Sequence, residues 1–347
     1  MLADQPIWSS SVSIDTALGY KDNLLLSAGE QEQSGLIRGS IEVLLLRLGR
    51  DRFEYSFYAQ AMRTRYVSGE VVDHDATAWV LSEAGYRLSE TLKVSLPLTG
   101  YYYDQVFDTS ETVLRRDVAE LKVTGMIIGP MLRWTFHPSA WLETQVGGER
   151  KLYLDGFNDS SIGEFALRLG WKRGERFQLV VAASERQRRF DERAQYSRAG
   201  RELVGTELKV REQEGELRFD WTLDQAGQWT TNTRIGLLRY SDNGSGYFGH
   251  QRRQVAHEVE WENERWLFRL GTTVGRIDFE VQTVGVGVDL PPRLADDYSA
   301  ELRVERRLNS RWTLFSAYNW ERRRCNDPIA SYRVNEGLLG VRWSWER

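Results

Sequence analysis

Glu164-Phe165-Ala166-Leu167-Arg168-Leu169-Gly170-Trp171-Lys172 is the stretch that decides the fold. Phe165, Leu167, Leu169 and Trp171 fall on one phase of a two-residue period, with Glu164, Ala166, Arg168, Gly170 and Lys172 on the other. Side chains alternate across a strand, so this is a strand with one apolar face and one charged face. It ends at a Trp beside a short polar turn. The same alternation recurs in Leu92/Val94/Leu96/Leu98, in Leu217/Phe219/Trp221 and in Tyr298/Ala300/Leu302/Val304, each interleaved with polar or small residues.

The connections between such strands fall into two classes. Seven are short, near 49–52, 88–90, 137–139, 173–175, 224–227, 262–264 and 308–310. Eight are longer, near 21–34, 66–75, 105–119, 153–159, 192–204, 241–250, 280–297 and 322–332. They alternate along the chain, so they join sixteen strands and put both termini on the short-turn side. Of the thirteen tryptophans, Trp8, Trp134, Trp141, Trp171, Trp221, Trp229, Trp261, Trp266, Trp312, Trp343 and Trp345 sit at short turns or a chain end. Indole has an apolar body and one N–H, which suits a membrane–water interface. The pattern predicts a single domain over residues 1–347. Its fold class is an all-β transmembrane antiparallel up-and-down β-barrel of about sixteen strands, in the bacterial outer membrane, termini periplasmic. Trp134, Trp171, Trp221, Trp229, Trp261, Trp266, Trp312, Trp343 and Trp345 are the expected membrane-interface residues. Segment 113–137 leaves the count open by two, because 113–124 also fits a short helix and Pro130 interrupts an apolar run.

Composition removes other classes. The net charge is −4, which offers no bulk attraction to nucleic acid. No run approaches the ~18 apolar residues of a membrane helix. Cys325 is the single cysteine and is expected to be a loop residue. The start lacks a charged and then apolar leader, so a signal peptide is expected to have been removed. No His/Cys spacing suits a metal and no glycine loop suits a phosphate, so no cofactor is expected. His74, His137, His250 and His257 do not share one level with a Ser and an Asp. Asp73, His74 and Asp75 with loop serines are the closest approach to a hydrolase site. The chain is expected not to be an enzyme.

The end, Gly340-Val341-Arg342-Trp343-Ser344-Trp345, resembles the carboxy-terminal β-signal of outer-membrane proteins. That resemblance implies recognition by the barrel-assembly machinery. Leu338 replaces the usual polar residue, and Glu346-Arg347 follow the last aromatic.

Strand phase then assigns the opposite face to the lumen: Glu42, Lys93, Arg133, Glu143, Glu164, Arg168, Arg186, Arg218, Asp220, Arg234, Glu258, Arg269, Glu301, Arg303, Glu305 and Arg342. The same phase adds Arg38, Glu54, Glu149 and Glu260. Their signs nearly balance, so no strong ion preference is expected. Sixteen strands enclose more space than wall side chains fill, which implies an aqueous path unless loops close it. The apolar loop 281–297 either tucks into that path or extends its two strands as a hairpin. Tyr101-Tyr102-Tyr103 are expected to include both lipid-side and lumen-side rings, serving an outer girdle or stacking on sugar rings. Arg186/Arg188/Arg189 and Arg322/Arg323/Arg324 are solvated or pair with lipopolysaccharide phosphates.

Leu18-Gly19-Tyr20-Lys21-Asp22-Asn23, followed by Leu24 and Leu25, resembles the opening of a family of outer-membrane β-barrel porins associated with exopolysaccharide export operons. The resemblance implies a conduit for a surface polysaccharide, working with a periplasmic export partner. The alternative is a general or solute-selective diffusion porin. An outer-membrane hydrolase and a structural barrel are further possibilities.

Overall fold

The computed structural model describes residues 8–29, 31–47, 52–107, 119–154, 159–285 and 287–347. Sixteen strands form one ring: β1 (Trp8–Lys21), β2 (Ser34–Arg47), β3 (Phe53–Tyr66), β4 (His74–Arg87), β5 (Leu92–Phe107), β6 (Ala119–Ile128 and Met131–His137), β7 (Ala140–Tyr153) and β8 (Ser160–Arg173). The other half is β9 (Phe177–Phe190), β10 (Lys209–Thr222), β11 (Trp229–Asp242), β12 (His250–Glu262), β13 (Trp266–Thr283), β14 (Pro292–Arg307), β15 (Trp312–Cys325) and β16 (Tyr332–Glu346). Each strand pairs antiparallel with the next, and β16 closes on β1 from Ser11↔Glu346 to Lys21↔Glu336. Closure removes every sheet edge, the condition for backbone to sit in hydrocarbon.

The first and last described residues, Trp8 and Arg347, lie at the short-turn end, where Ser10 and Arg347 exchange backbone hydrogen bonds of 3.0 and 2.9 Å. Two of the short turns are built by an Asn just before a Trp. Asn263 Oδ1 accepts from the N–H groups of Arg265 and Trp266, each at 2.8 Å. Asn309 Oδ1 accepts from Arg311 and Trp312 at 2.9 and 3.0 Å. A side-chain acceptor two or three residues ahead mimics a backbone turn and fixes where the next strand starts.

The Pro130 interruption leaves the register intact. Ile128 pairs with Leu98 and Gly148, while Met131 pairs with Ser95 and Gln145, so β6 is one strand lacking the ladder bond a proline cannot donate. Residues 119–124 belong to it, which removes the helix alternative there; 113–118 lie outside the described residues.

Passing from partner to partner around the ring returns to β1 displaced by about 20 residues. For sixteen strands that stagger corresponds to a tilt of about 40° and a backbone radius of roughly 16 Å.

Register also separates two faces consistently all the way round. On one phase lie nearly all the exposed large hydrophobics of the strands, such as Leu96, Leu98, Phe165, Leu167, Leu270 and Leu339. On the other lie buried Ala17, Leu36, Tyr101, Val210, Tyr240, Phe315 and Leu338, with most of the charged groups. Arg303 on β14 reaches Asp15 on β1, across β15 and β16, at 3.8 Å. Only the concave side of a ring permits that reach, so the charged phase faces inward.

Candidate functional site: the barrel interior

All sixteen residues assigned to the lumen from strand phase lie on the inward face, and most are held in compact ion-pair clusters. Arg342 forks onto Asp15 at 2.8 and 2.9 Å and reaches Glu305 at 3.4 Å. Arg303 bonds Glu305 at 2.6 Å and lies 4.4 Å from the Phe315 ring. Arg133 and Arg168 both bond Glu143, at 2.9 and 2.8 Å. Arg133 also stacks 4.3 Å from Trp141. Arg218 and Asn232 converge on Asp220. Arg269 bonds Glu260, Arg186 bonds Glu164, and Lys93 bonds Glu54. Glu42 accepts from Gln60 and Ser13. Bidentate and charge-assisted bonds of this kind fix the wall side chains against the barrel.

Phase alone could not show which charges remain free. Among the described residues of the β10–β14 wall, Glu214, Glu216, Glu258 and Glu301 have no ion-pair or side-chain hydrogen-bond partner. The reason is local. Glu216 stands opposite Gly236 on β11 and Ala182 on β9, and Glu214 stands opposite Leu238 and Ser184. Glu258 and Glu301 flank Gly271, which has no side chain to offer either. Among the described residues, the inward base Arg234 on this wall has no carboxylate partner and bonds Asn232 at 3.1 Å. The near-balance expected from strand phase therefore gives way, on β10 to β14, to an excess of free carboxylate.

Two sets of loops lean over the opening opposite the termini. The loop 191–208 carries a small hairpin, Gln195–Tyr196 with Glu202–Leu203. Tyr196 stacks on Tyr247 at 5.9 Å and meets Phe248 edge-on at 5.1 Å, while Ser245 Oγ donates to the Tyr196 carbonyl at 2.7 Å. Leu208 and Phe248 are 1% and 2% exposed, and they cover inward-facing Phe190, Val210 and Tyr240. Asp242 shapes the second loop, accepting from the N–H groups of Gly244, Gly246 and Phe248. Across the ring, Leu24 of loop 22–33 and Val72 of loop 67–73 cover Ala17, Leu36, Tyr66 and Leu338. An aromatic group on β4, β5 and β7 adds inward bulk, with Trp79 5.5 Å from Tyr101 and 5.1 Å from Tyr103.

The structure decides several readings that the sequence left open. The 281–297 loop does not supply the constriction. Thr283 pairs with Pro292, Val284 N–H donates to Pro291 O at 3.0 Å, and Val288 is 91% exposed, so the segment extends β13 and β14 as a hairpin. Tyr101 and Tyr103 face inward, whereas Tyr102 faces outward. The basic clusters split by phase: Arg186, Arg188 and Arg323 point inward, while Arg189, Arg322 and Arg324 point outward. Trp141 and Trp79 are inward, while the nine interface tryptophans named above are outward. Cys325 ends β15 rather than lying in a loop, packed against Ile277, Phe279 and Ala295. His74 lies between Asp73 and Asp104, at 2.5 and 3.3 Å, whereas Asp75 faces inward and holds the Tyr66 hydroxyl. The three residues thus do not converge on a nucleophile.

Gly19 and Asn23 have structural tasks. A Cβ on Gly19 would lie 2.3 Å from the Gly337 carbonyl oxygen. Buried Asn23 donates to Ser27 O and Arg333 O at 2.9 and 3.0 Å, tying the first loop to β16.

No family model matches the chain, and no curated protein matches it in sequence. Its fold does match solved barrels of Acinetobacter baumannii. OccAB4 aligns over 100% of both chains with a TM-score of 0.53 and 10% identity. OccAB1 aligns over 98% of this chain and 96% of its own, at 0.52 and 9%. OccAB3 covers 98% and 99%, at 0.51 and 9%. The chain is a closed sixteen-stranded antiparallel β-barrel with the fold of the outer-membrane barrel porins.

Proposed function

We propose that this protein is a diffusion porin of the bacterial outer membrane, with both termini in the periplasm, passing small hydrophilic solutes through its charged interior. One observation carries the reading. A closed ring of roughly 16 Å backbone radius is wider than its side chains fill, and the face turned inward is the charged one. The clustered Arg–carboxylate pairs make a rigid wetted wall, and the inward loops set the narrowest opening. The free carboxylates of Glu214, Glu216, Glu258 and Glu301 bias that path toward cations over anions.

Export of a surface polysaccharide is the less supported reading. It rests on Gly19 to Asn23, and here those residues serve the β1–β16 seam and the first loop. The end-to-end match to the OccAB barrels instead favours a porin. The test is reconstitution of the purified barrel alone in planar bilayers. A diffusion porin conducts in steady steps without a partner. A barrel closed until a loop is deleted or a periplasmic protein is added would restore the export reading.

A further inference from the structure

The outward face carries a second regularity. On five strands an outward Trp near the short turns is followed, ten residues along, by an outward Arg: Trp221 and Arg211, Trp229 and Arg239, Trp266 and Arg276, Trp312 and Arg322, Trp343 and Arg333. Ten residues of strand tilted by about 40° rise roughly 26 Å, the height of a barrel's apolar band. The tryptophans mark one boundary of that band and the arginines the other.

Two arginine pairs in this belt face each other across the ladder. Arg322 is the register partner of Arg333, and Arg253 of Arg276. Like charges directly opposite destabilise a sheet unless something neutralises them. Elsewhere the belt has its own carboxylates: Arg211 bonds Glu185 at 2.5 Å and Arg239 approaches Glu280 at 3.9 Å. Arg276 has Asp278 at 3.0 Å and Asp296 as its register partner on β14, so the Arg253/Arg276 rung carries its own carboxylates. Among the described residues, Arg253 and Arg322 have no carboxylate within ion-pair distance, and Arg333 has only Asn335 at 3.5 Å.

We propose that the Arg322/Arg333 rung binds a phosphate group on the headgroup of a phosphorylated glycolipid, its acyl chains lying on the apolar band beneath. Two guanidiniums side by side present several N–H donors to one phosphate, and the site is at headgroup height. The alternative source of the same chemistry, free phosphate, lacks the chains that the band below accommodates. The inference rests on the membrane-spanning reading but not on conduction.

The experiment uses the full barrel in detergent, with native mass spectrometry and diphosphoryl lipid A as the probe. The unaltered protein is expected to retain the lipid. The R322Q/R333Q variant is expected to bind at least tenfold more weakly, and the corresponding Lys variant to recover part of the loss. Heat-modifiable migration of each variant shows that the barrel is folded. Equal retention by the Gln variant overturns the proposal, as does displacement of the lipid by millimolar inorganic phosphate. A chain soluble without detergent fails the membrane reading itself; lipid binding without conductance fails only the porin reading.

Discussion

Neutralising the four free carboxylates of the β10–β14 wall tests the interior most directly. Glu214, Glu216, Glu258 and Glu301 exceed the free base Arg234 by three charges on the β10–β14 wall. A wall charge about 8 Å from a passing ion contributes roughly 0.5 kcal/mol in water, and about 0.2 kcal/mol at 0.1 M salt, where the Debye length is about 10 Å. Three such charges give about 0.6 kcal/mol, close to RT. That concentrates monovalent cations about threefold and depletes anions equally, for a cation-to-anion permeability ratio of several-fold. The ratio should fall toward one at 1 M salt, where the screening length is only about 3 Å. The assay is the reversal potential of the reconstituted channel under a tenfold KCl gradient. The E214Q/E216Q/E258Q/E301Q variant should move it to zero or slightly to the anion side. An anion-preferring unaltered channel at 0.1 M, or a variant with an unmoved reversal potential, would refute the charge assignment.

Other outcomes follow from the same geometry. Deleting the hairpin at 195–203 removes Tyr196 from Tyr247 and Phe248, and should raise single-channel conductance; an unchanged step would mean that this loop does not limit passage. Gly340→Ala places a Cβ 2.4 Å from Phe315 Cζ and 2.6 Å from the Thr16 carbonyl oxygen, at the seam that closes the ring. Overpacking of this kind costs about 1–3 kcal/mol, so the fast-migrating unboiled form should diminish, whereas Gly337→Ala, with nothing within 4 Å, should fold normally. Arg150 beside Asp191 holds that loop carboxyl below the ordinary aspartate range. A lowered folded value means the link contributes at and above the ordinary value and is lost as pH falls through the lowered one. Pepsin cleavage of loop 191–208 should therefore rise below about pH 4, and D191N should remove that dependence.

Short-range chemistry made much of this protein legible in its sequence. The two-residue period of Phe165 to Trp171 sets a strand's faces without reference to any neighbour, because side chains must alternate. Short turns beside Trp recur at the strand count, and the closed ring has that count. The inward phase of Glu143, Arg168 or Arg342 follows from the same rule.

What depends on residues distant in the chain became visible only in the folded ring. Glu258 and Glu301 are free because Gly271 stands between them, and that pairing is set by register. The four loops that lean inward are held by contacts such as Tyr196 on Tyr247 and Leu24 near Leu338, which no local pattern announces. Apolar content left 281–297 open between an inward loop and a hairpin, and the Thr283–Pro292 pairing decides for the hairpin. Arg322 and Arg333 lie eleven positions apart in the chain, yet the ladder sets them directly opposite one another. Alternation along one strand is local and so is written in the sequence. Which charges meet, which stay free and what narrows the opening are properties of closure, and only the tertiary structure decides them.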